Sequence, residues 1–446
     1  MFEEMNITYL ELGIQQYTIK ALRELEIKER LNEHISLHMT ALLYDVHKDT
    51  QLYDTKAGTQ IILQQKQEET KLLFQGVVRK IAIEKKQGVY FLTIEALSNT
   101  YLLDIKRVSQ SFQNINLSYI DMIKQVIEPY QGSDVIDNVT QGKPIGNFIM
   151  QYLETDWAFI KRMASHFQAA IVPFALTDKP KFTIGMPKGE FIGDLTRYHY
   201  RIEKDIEKYL KSSQNTNPNL KELDSIVFYI ETDKNFMIGD IASFQNMTLY
   251  IKEKTAKMVQ GLLVYEYALS SENSFSQDRL YHQKIIGLSL KGRVLEVIED
   301  TVKVHLEIDE EEPPKQEAYP FPYTTVYTAE GNSGWYCMPE VDDTVLIYFP
   351  TKEEKDGVGM NALRVQGKGS DKIGDPEVKY FRTKNGKELK FSPEEILITC
   401  CNGTDEKTGE KHVIYMRLHE KNGIEIASTE PILIKSDQNI DLQAGE

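Results

Sequence analysis

Three cysteines in 446 residues, Cys337 and the adjacent pair Cys400 and Cys401, are too few for a disulfide framework. Neighbours that share one peptide bond are poor disulfide partners, so the chain reads as one made in a reducing compartment. No window of 18 apolar residues occurs, which excludes a membrane-spanning helix of ordinary length. The opening MFEEMNITYLELG has neither the basic run nor the apolar stretch of a secretory signal; synthesis in the cytoplasm without a signal peptide is expected, with any export left to other machinery. Basic residues are in deficit too: 52 Lys and Arg against 67 Asp and Glu give a net charge of -15. Binding a polyanion requires Lys and Arg to neutralise phosphates, so the charge argues against nucleic acid as a partner, and an anionic membrane surface is disfavoured on the same ground. Among nine histidines there is no HExxH and no Cys-rich spacing, so no metal site and no cofactor are expected.

What is present is apolar content in short alternating runs. With 41% hydrophobic residues the chain can fill several cores, and its length suggests roughly three domains. HISLHMTALLYDV, TQIILQQ, LLFQGVVRKIAIE and GVYFLTIEAL, before residue 105, have the period of an antiparallel barrel or sandwich, and no parallel α/β rhythm is visible. Between about 106 and 185 the period changes. SYIDMIKQVIEP predicts a short helix, with Ser118 as N-cap and Pro129 as its end. TDWAFIKRMASHFQA predicts another, capped by Thr155 or Asp156, with Trp157, Ile160, Ala164 and Phe167 on one face. From 186 to 285 the β pattern returns, interrupted at 211–220 by KSSQNTNPNL, read as a flexible loop. KGRVLEVIEDTVKVHLEID and GWYCMPEVDDTVLIYFP frame five or so strands over 286–368, suggesting a small closed barrel of the OB type. A linker-like run, KGSDKIGDPE, follows; Asn-Gly pairs at 385, 402 and 422 then signal two-residue hairpin turns.

The last segment, 369–446, ends in an eight-residue rhythm. Met416 and Leu418, Ile424 and Ile426, Ile432 and Ile434, and Ile440 and Leu442 repeat one unit of two apolar residues followed by polar or turn-forming ones. A single chain folded this way exposes an apolar strip on every rung, and such strips mark interfaces. Three copies meeting along an axis bury one another's strips in a prism; the competing arrangement is a plain C-terminal β-meander.

These parts, in this order, resemble the VgrG and phage late-control D family, the hub-and-spike proteins of contractile injection machines. The most specific stretch is QYLETDWAFIKRMASHF at 151–167, which is similar to that family's Q-Y-x-E-[ST]-D-[WF]-x-F-[IL]-x-R-[LM] signature through Gln151, Tyr152, Glu154, Asp156, Trp157, Phe159 and Arg162. EALSNTYLLD at 95–104, SQSFQNINLSYIDMIKQVI at 109–127, GRV at 292–294 and GWYCMPEVDDTVLIYF at 334–349 add to it. The resemblance implies a mainly β chain: a first hub β-barrel domain over 1–105, a helix-containing α/β insert over 106–185, a second hub β-barrel domain over 186–285, an OB-fold spike base over 286–368, and a linker and trimeric β-prism or β-helix needle over 369–446. It further implies a homotrimer whose six hub units match a sixfold tube, with tail tube and baseplate proteins as partners and a PAAR-like tip protein or effector cargo at the needle end. The expected task is mechanical: joining tube to baseplate and piercing an envelope. Two departures stand out. Asp342-Asp343 replaces the usual Gly-Asp, tolerable because Asp is among the better residues for a left-handed turn, and no lysozyme-like domain is inserted.

Other functions have weaker footing. Glu154 and Asp156 are the most tempting carboxylate pair for glycosidase chemistry, yet both sit at a helix start, where acids favour the helix dipole. His166, at the polar edge of its helix, reads as solvated. A cell-wall-degrading or carbohydrate-binding tail protein built on the OB-like unit is the alternative; the aromatic run AYPFPYTTVY at 318–327 follows Asp309–Glu312, the wrong sign for a nucleic-acid reader, which leaves sugar binding as the reading open to that unit.

Overall fold

Alternating apolar residues at Leu25, Ile27, Leu37, Met39, Leu92 and Ile94 commit the early strands to one buried face, and the same holds for Ile230, Ile251, Tyr265 and Leu269 later in the chain. The computed structural model describes residues 7–45, 50–66, 70–215, 220–329, 333–363, 374–404 and 411–443. They fall into two units, Met1–Leu363 and Arg364–Glu446. The run at 364–373, which holds most of the linker expected from the sequence, lies outside the described residues.

In the first unit the two expected hub β regions are not separate sheets. Twelve strands form one sheet, in which Ala21–Arg30 pairs antiparallel with Met247–Val259 and joins the early strands to the late ones over a shared core. The sheet contains an internal repeat. The hairpin Lys71–Lys86 with Val89–Ser98 has its counterpart in Met247–Val259 with Leu262–Ser270. Each turns at a Gln-Gly pair with positive φ, Gln87-Gly88 in one and Gln260-Gly261 in the other. Each also shifts register at the same place, between Val78 and Lys80 and between Ile251 and Glu253. On the inner side Ser36–Leu42 lies against the first hairpin as Ile226–Thr232 lies against the second, and Ala21–Arg30 and Tyr200–Lys204 lie outside these in turn. The repeat is imperfect at its far ends, where Leu12–Ile14 runs antiparallel to its neighbour and Phe191–Asp194 runs parallel.

Four α-helices are described: α1 (Thr50–Asp54), α2 (Tyr119–Ile127), α3 (Asp156–Ser165) and α4 (Ile206–Asn215). Ser118 caps α2 by accepting from the Asp121 N–H, and Thr155 caps α3 by accepting from the Ala158 N–H. α4 corrects the sequence reading of 211–220 as a loop. Its Glu207–Lys211 ion pair and the buried Ser212, whose hydroxyl meets Asp278 at 3.2 Å, hold a helix where composition alone suggested none; 216–219 lie outside the described residues. α2 and α3 pack with a three-stranded sheet (Asp134–Asp137, Ile171–Pro173, Lys181–Ile184) around a second core that includes Trp157, Phe159 and Ile160.

Residues 289–363 form a five-stranded barrel. The strand order is Pro320–Pro322, Thr301–Leu306, Ser289–Ile298, Thr344–Tyr348, Val358–Leu363, and a parallel bridge from Tyr323 to Gly359 brings the two ends together. Gly292, of the GRV motif, has no room for a side chain, since a Cβ there would stand 2.9 Å from Val304. Asp342 adopts φ 75°, the left-handed conformation inferred for it, and accepts an ion pair from Arg293 at 3.1 Å.

The second unit is a five-stranded antiparallel meander of Lys379–Arg382, Glu388–Phe391, Glu395–Thr404, Lys411–His419 and Gly423–Ser428. Asn385-Gly386 and Asn422-Gly423 lie at its turns, with Gly386 and Gly423 at positive φ. Asn402-Gly403 does not: it continues a strand, opposite Val413 and His412.

Candidate functional site

The strand Ile149–Thr155 lies between two cores, and this explains the spacing of the signature. Ile149 faces the helical core, while Phe148 and Met150 face the barrel, where Phe148 meets Phe321 and Phe349 with ring centroids 4.9 Å and 5.8 Å away. Tyr152 packs on the barrel core, and its carbonyl accepts from His282 at 2.6 Å.

Arg162, on α3, is buried to 3% exposure and is the centre of the site. Its guanidinium reaches Glu154 at 2.9 Å and Glu354 at 2.8 Å, and donates to the Met150 carbonyl at 2.8 Å. Burial alone would lower its pKa, but the Glu354 and Glu154 carboxylates outweigh that and raise it, so the group stays charged. Glu354 also accepts from the Met150 N–H at 3.1 Å. One cation thus ties the helix, the signature strand and the turn Glu354–Asp356 of the barrel region together. Gln151, fully buried, donates to Asp156 at 2.8 Å and accepts from Gln110 at 2.8 Å. Asp156 also accepts from the Tyr130 hydroxyl at 2.6 Å; burial, then that carboxylate, raises the Tyr130 pKa. Trp157 lies under the His34 ring at 4.6 Å, with Phe182 edge-on at 5.7 Å, and Phe159 stacks on Phe112 at 5.6 Å.

Gln151, Glu154, Asp156 and Arg162 are therefore linked by hydrogen bonds and an ion pair, while Trp157 and Phe159 lie in the helical core and Tyr152 packs on the barrel core. Glu154 sits in the strand and pairs with Arg162 rather than favouring a helix dipole, and Asp156, buried at the start of α3, accepts from Gln151. His166 also departs from its reading as solvated. It caps the C-terminus of α3, half-buried, with Nδ1 2.9 Å from the Tyr119 hydroxyl; burial, then Arg279 and Arg162, push its pKa down to about 3. Glu354 and His282 went unrecognised because they lie far away in sequence and carry no local pattern. Ser111 and Asp309 are a further such pair, joined at 2.6 Å through both the Ser111 N–H and its hydroxyl. Among the described residues no group of three His, Cys, Asp or Glu is placed to hold a metal ion.

The second unit carries the other candidate. Its register sets Phe391, Ile396, Leu418 and Ile424 in one row across four strands and Leu389, Ile398, Met416 and Ile426 in the next, all on one face. The opposite face holds Lys390, Glu395, Arg417 and Glu425, linked by ion pairs of 3.0 to 3.1 Å. No described residue of this unit is buried, and Ile424 is 72% exposed. The first two octads are thus paired strands. Ile432, Ile434, Ile440 and Leu442, expected in two further rungs, lie beyond Ser428 with no strand assigned and are exposed: a narrow rung with one apolar pair has nothing in its own chain to close against.

In fold the chain is similar to solved proteins of contractile tails and type VI secretion. Over residues 28–169 the chain matches the family described as the phage tail baseplate hub (GPD). Among solved structures it is similar to the E. coli c3393 protein, described as a type VI secretion component resembling the T4 bacteriophage tail proteins gp27 and gp5; identity is 13%, the TM-score 0.58, and the match covers 79% of this chain and 99% of that one. It is also similar to the half-lidded Francisella PdpA-VgrG complex, at 12% identity and TM-score 0.57, covering 93% of this chain and 87% of that one. No curated protein matches the sequence. No described helix is long and apolar enough to cross a membrane.

Proposed function

We propose that the chain works as a homotrimeric hub and spike, seating a tail tube on a baseplate and carrying a needle that pierces the target envelope. In this reading 1–105 and 186–285 supply the two similar hub units, 106–185 braces them, 286–368 is an OB-type spike base, and 369–446 is the needle. The role is non-catalytic, and tube and baseplate proteins, with a PAAR-like tip or an effector cargo at the needle, are its partners.

The observation that carries this reading is the double row of apolar side chains in the second unit, uncovered by its own chain and backed by a charged face. A five-stranded sheet without a buried residue is not stable alone in water. Three copies that turn the rows inward bury Met416, Leu418, Ile424, Ile426, Ile432, Ile434, Ile440 and Leu442 about one axis. Ile432→Asp tests this, because the residue is exposed in the single chain and harmless there, whereas three carboxylates on a dry axis cost several kcal/mol, ~3 or more. Light scattering is expected to show trimers for the native chain and their loss in the variant. A variant trimer of unchanged melting temperature would rule out the octads as the core.

A further inference from the structure

We propose that neighbouring copies in the hub join edge to edge, the strand Tyr200–Lys204 of one copy pairing antiparallel with Lys80–Glu84 of the next. This rests on the trimeric reading above and names the contact that closes its ring.

The argument comes from the seam already made inside one chain. There Glu253, Lys254, Thr255, Ala256 and Lys257 lie opposite Arg30, Glu29, Lys28, Ile27 and Glu26. The internal repeat gives both sides a counterpart. On one side Glu253 corresponds to Lys80 and Lys257 to Glu84, as the matched hairpins require. On the other, Ile27 lies opposite Leu37, which lies opposite Ala96; Ile202 lies opposite Phe228, which lies opposite Leu269, the counterpart of Ala96. Ile202 is therefore the second Ile27.

Only one of the two seams is made within the chain. Among the described residues Lys80–Glu84 is paired on one side only, with Phe91–Glu95, and Tyr200–Lys204 only with Ile226–Ile230. Burial shows the same asymmetry. Leu25 and Ile27 are each 3% exposed, whereas their counterparts Tyr200 and Ile202 are 49% and 48% exposed. An open edge with apolar side chains is a template for another strand.

Carrying the register across sets Arg201 opposite Glu84, Ile202 opposite Ile83, Glu203 opposite Ala82, Lys204 opposite Ile81 and Asp205 opposite Lys80. The inner seam has Glu26 opposite Lys257 and an Arg30–Glu253 ion pair at 3.4 Å. At one end of the seam acid and base have changed sides, from Glu26 and Lys257 to Arg201 and Glu84, and at the other from Arg30 and Glu253 to Asp205 and Lys80. Complementarity survives at both ends, as it must if both edges face each other. Each copy then offers one edge and accepts the other, a head-to-tail contact that closes into a ring.

Ile202→Cys combined with Ile83→Cys in one chain, oxidised and run on a non-reducing gel, tests the pairing. Each single variant, and Ile202→Cys with the off-register Val89→Cys, serve as controls. A ladder of covalent dimers and trimers specific to the matched pair is expected. A light-scattering trimer without that ladder overturns the edge contact and leaves the trimer standing; a monomer overturns both. Arg201→Glu, which sets like charges opposite one another, should slow the cross-linking about tenfold, and Glu84→Arg added to it should restore the rate. Failure of that rescue also counts against the register.

Discussion

Arg162 shows how much one side chain in this fold depends on its partners. Removing it leaves Glu154 and Glu354 buried without a counter-charge, so Arg162→Met is expected to destabilise the first unit by about 3–5 kcal/mol. Arg162→Lys should recover only part of this, because an ammonium cannot donate in the guanidinium's several directions. Urea unfolding followed through the buried Trp157 measures both, and unchanged midpoints would contradict the network. His166 makes a prediction in pH. Its folded pKa, about 3, lies below the ordinary value of 6.5, so the unfolded chain takes up a proton first and stability falls as pH drops from 6.5 towards 3. His166→Gln removes that contribution. Between pH 6.5 and 4 it should lose less stability than the native chain, by up to about 1.4 kcal/mol per pH unit; parallel melting profiles would refute the assignment.

At the scale of elements, short-range chemistry was legible where it is self-contained. The caps Ser118 and Thr155 and the turns at Asn385 and Asn422 need only neighbours in sequence, and the structure has them. Asn402-Gly403 has the same local preference but lies within a strand, since its cross-strand partners outweigh it. Asp342 tests the local rule directly. At φ 75° a β-branched side chain is strained and glycine is not. Asp342→Val is expected to cost about 1–2 kcal/mol, and Asp342→Gly to be close to neutral once the exposed ion pair with Arg293 is discounted. Calorimetric melting of the two variants checks the order, and a more stable Val variant would reverse the argument.

For the whole molecule, the proposed assembly rests on two open surfaces: the apolar rows of the second unit and the unmatched edges of the twelve-stranded sheet. They act differently. The rows are non-directional and need only be kept from water, whereas the edges carry hydrogen-bonding groups and alternating charge that fix register. The buried network at Arg162 ties the helical core to the barrel region.

By itself the sequence determined the β period, the two capped helices, the octad rhythm and the signature stretch, because each is set by residues within about a dozen positions of one another. Only the tertiary structure decided that the two hub regions share one sheet, that Arg162 pairs with Glu354 as well as Glu154, and that α4 forms where polar residues suggested a loop. The physical reason is common to all three: a register between distant strands, or a carboxylate that finds its cation across the fold, is fixed by what is buried together, and burial has no signature in local sequence.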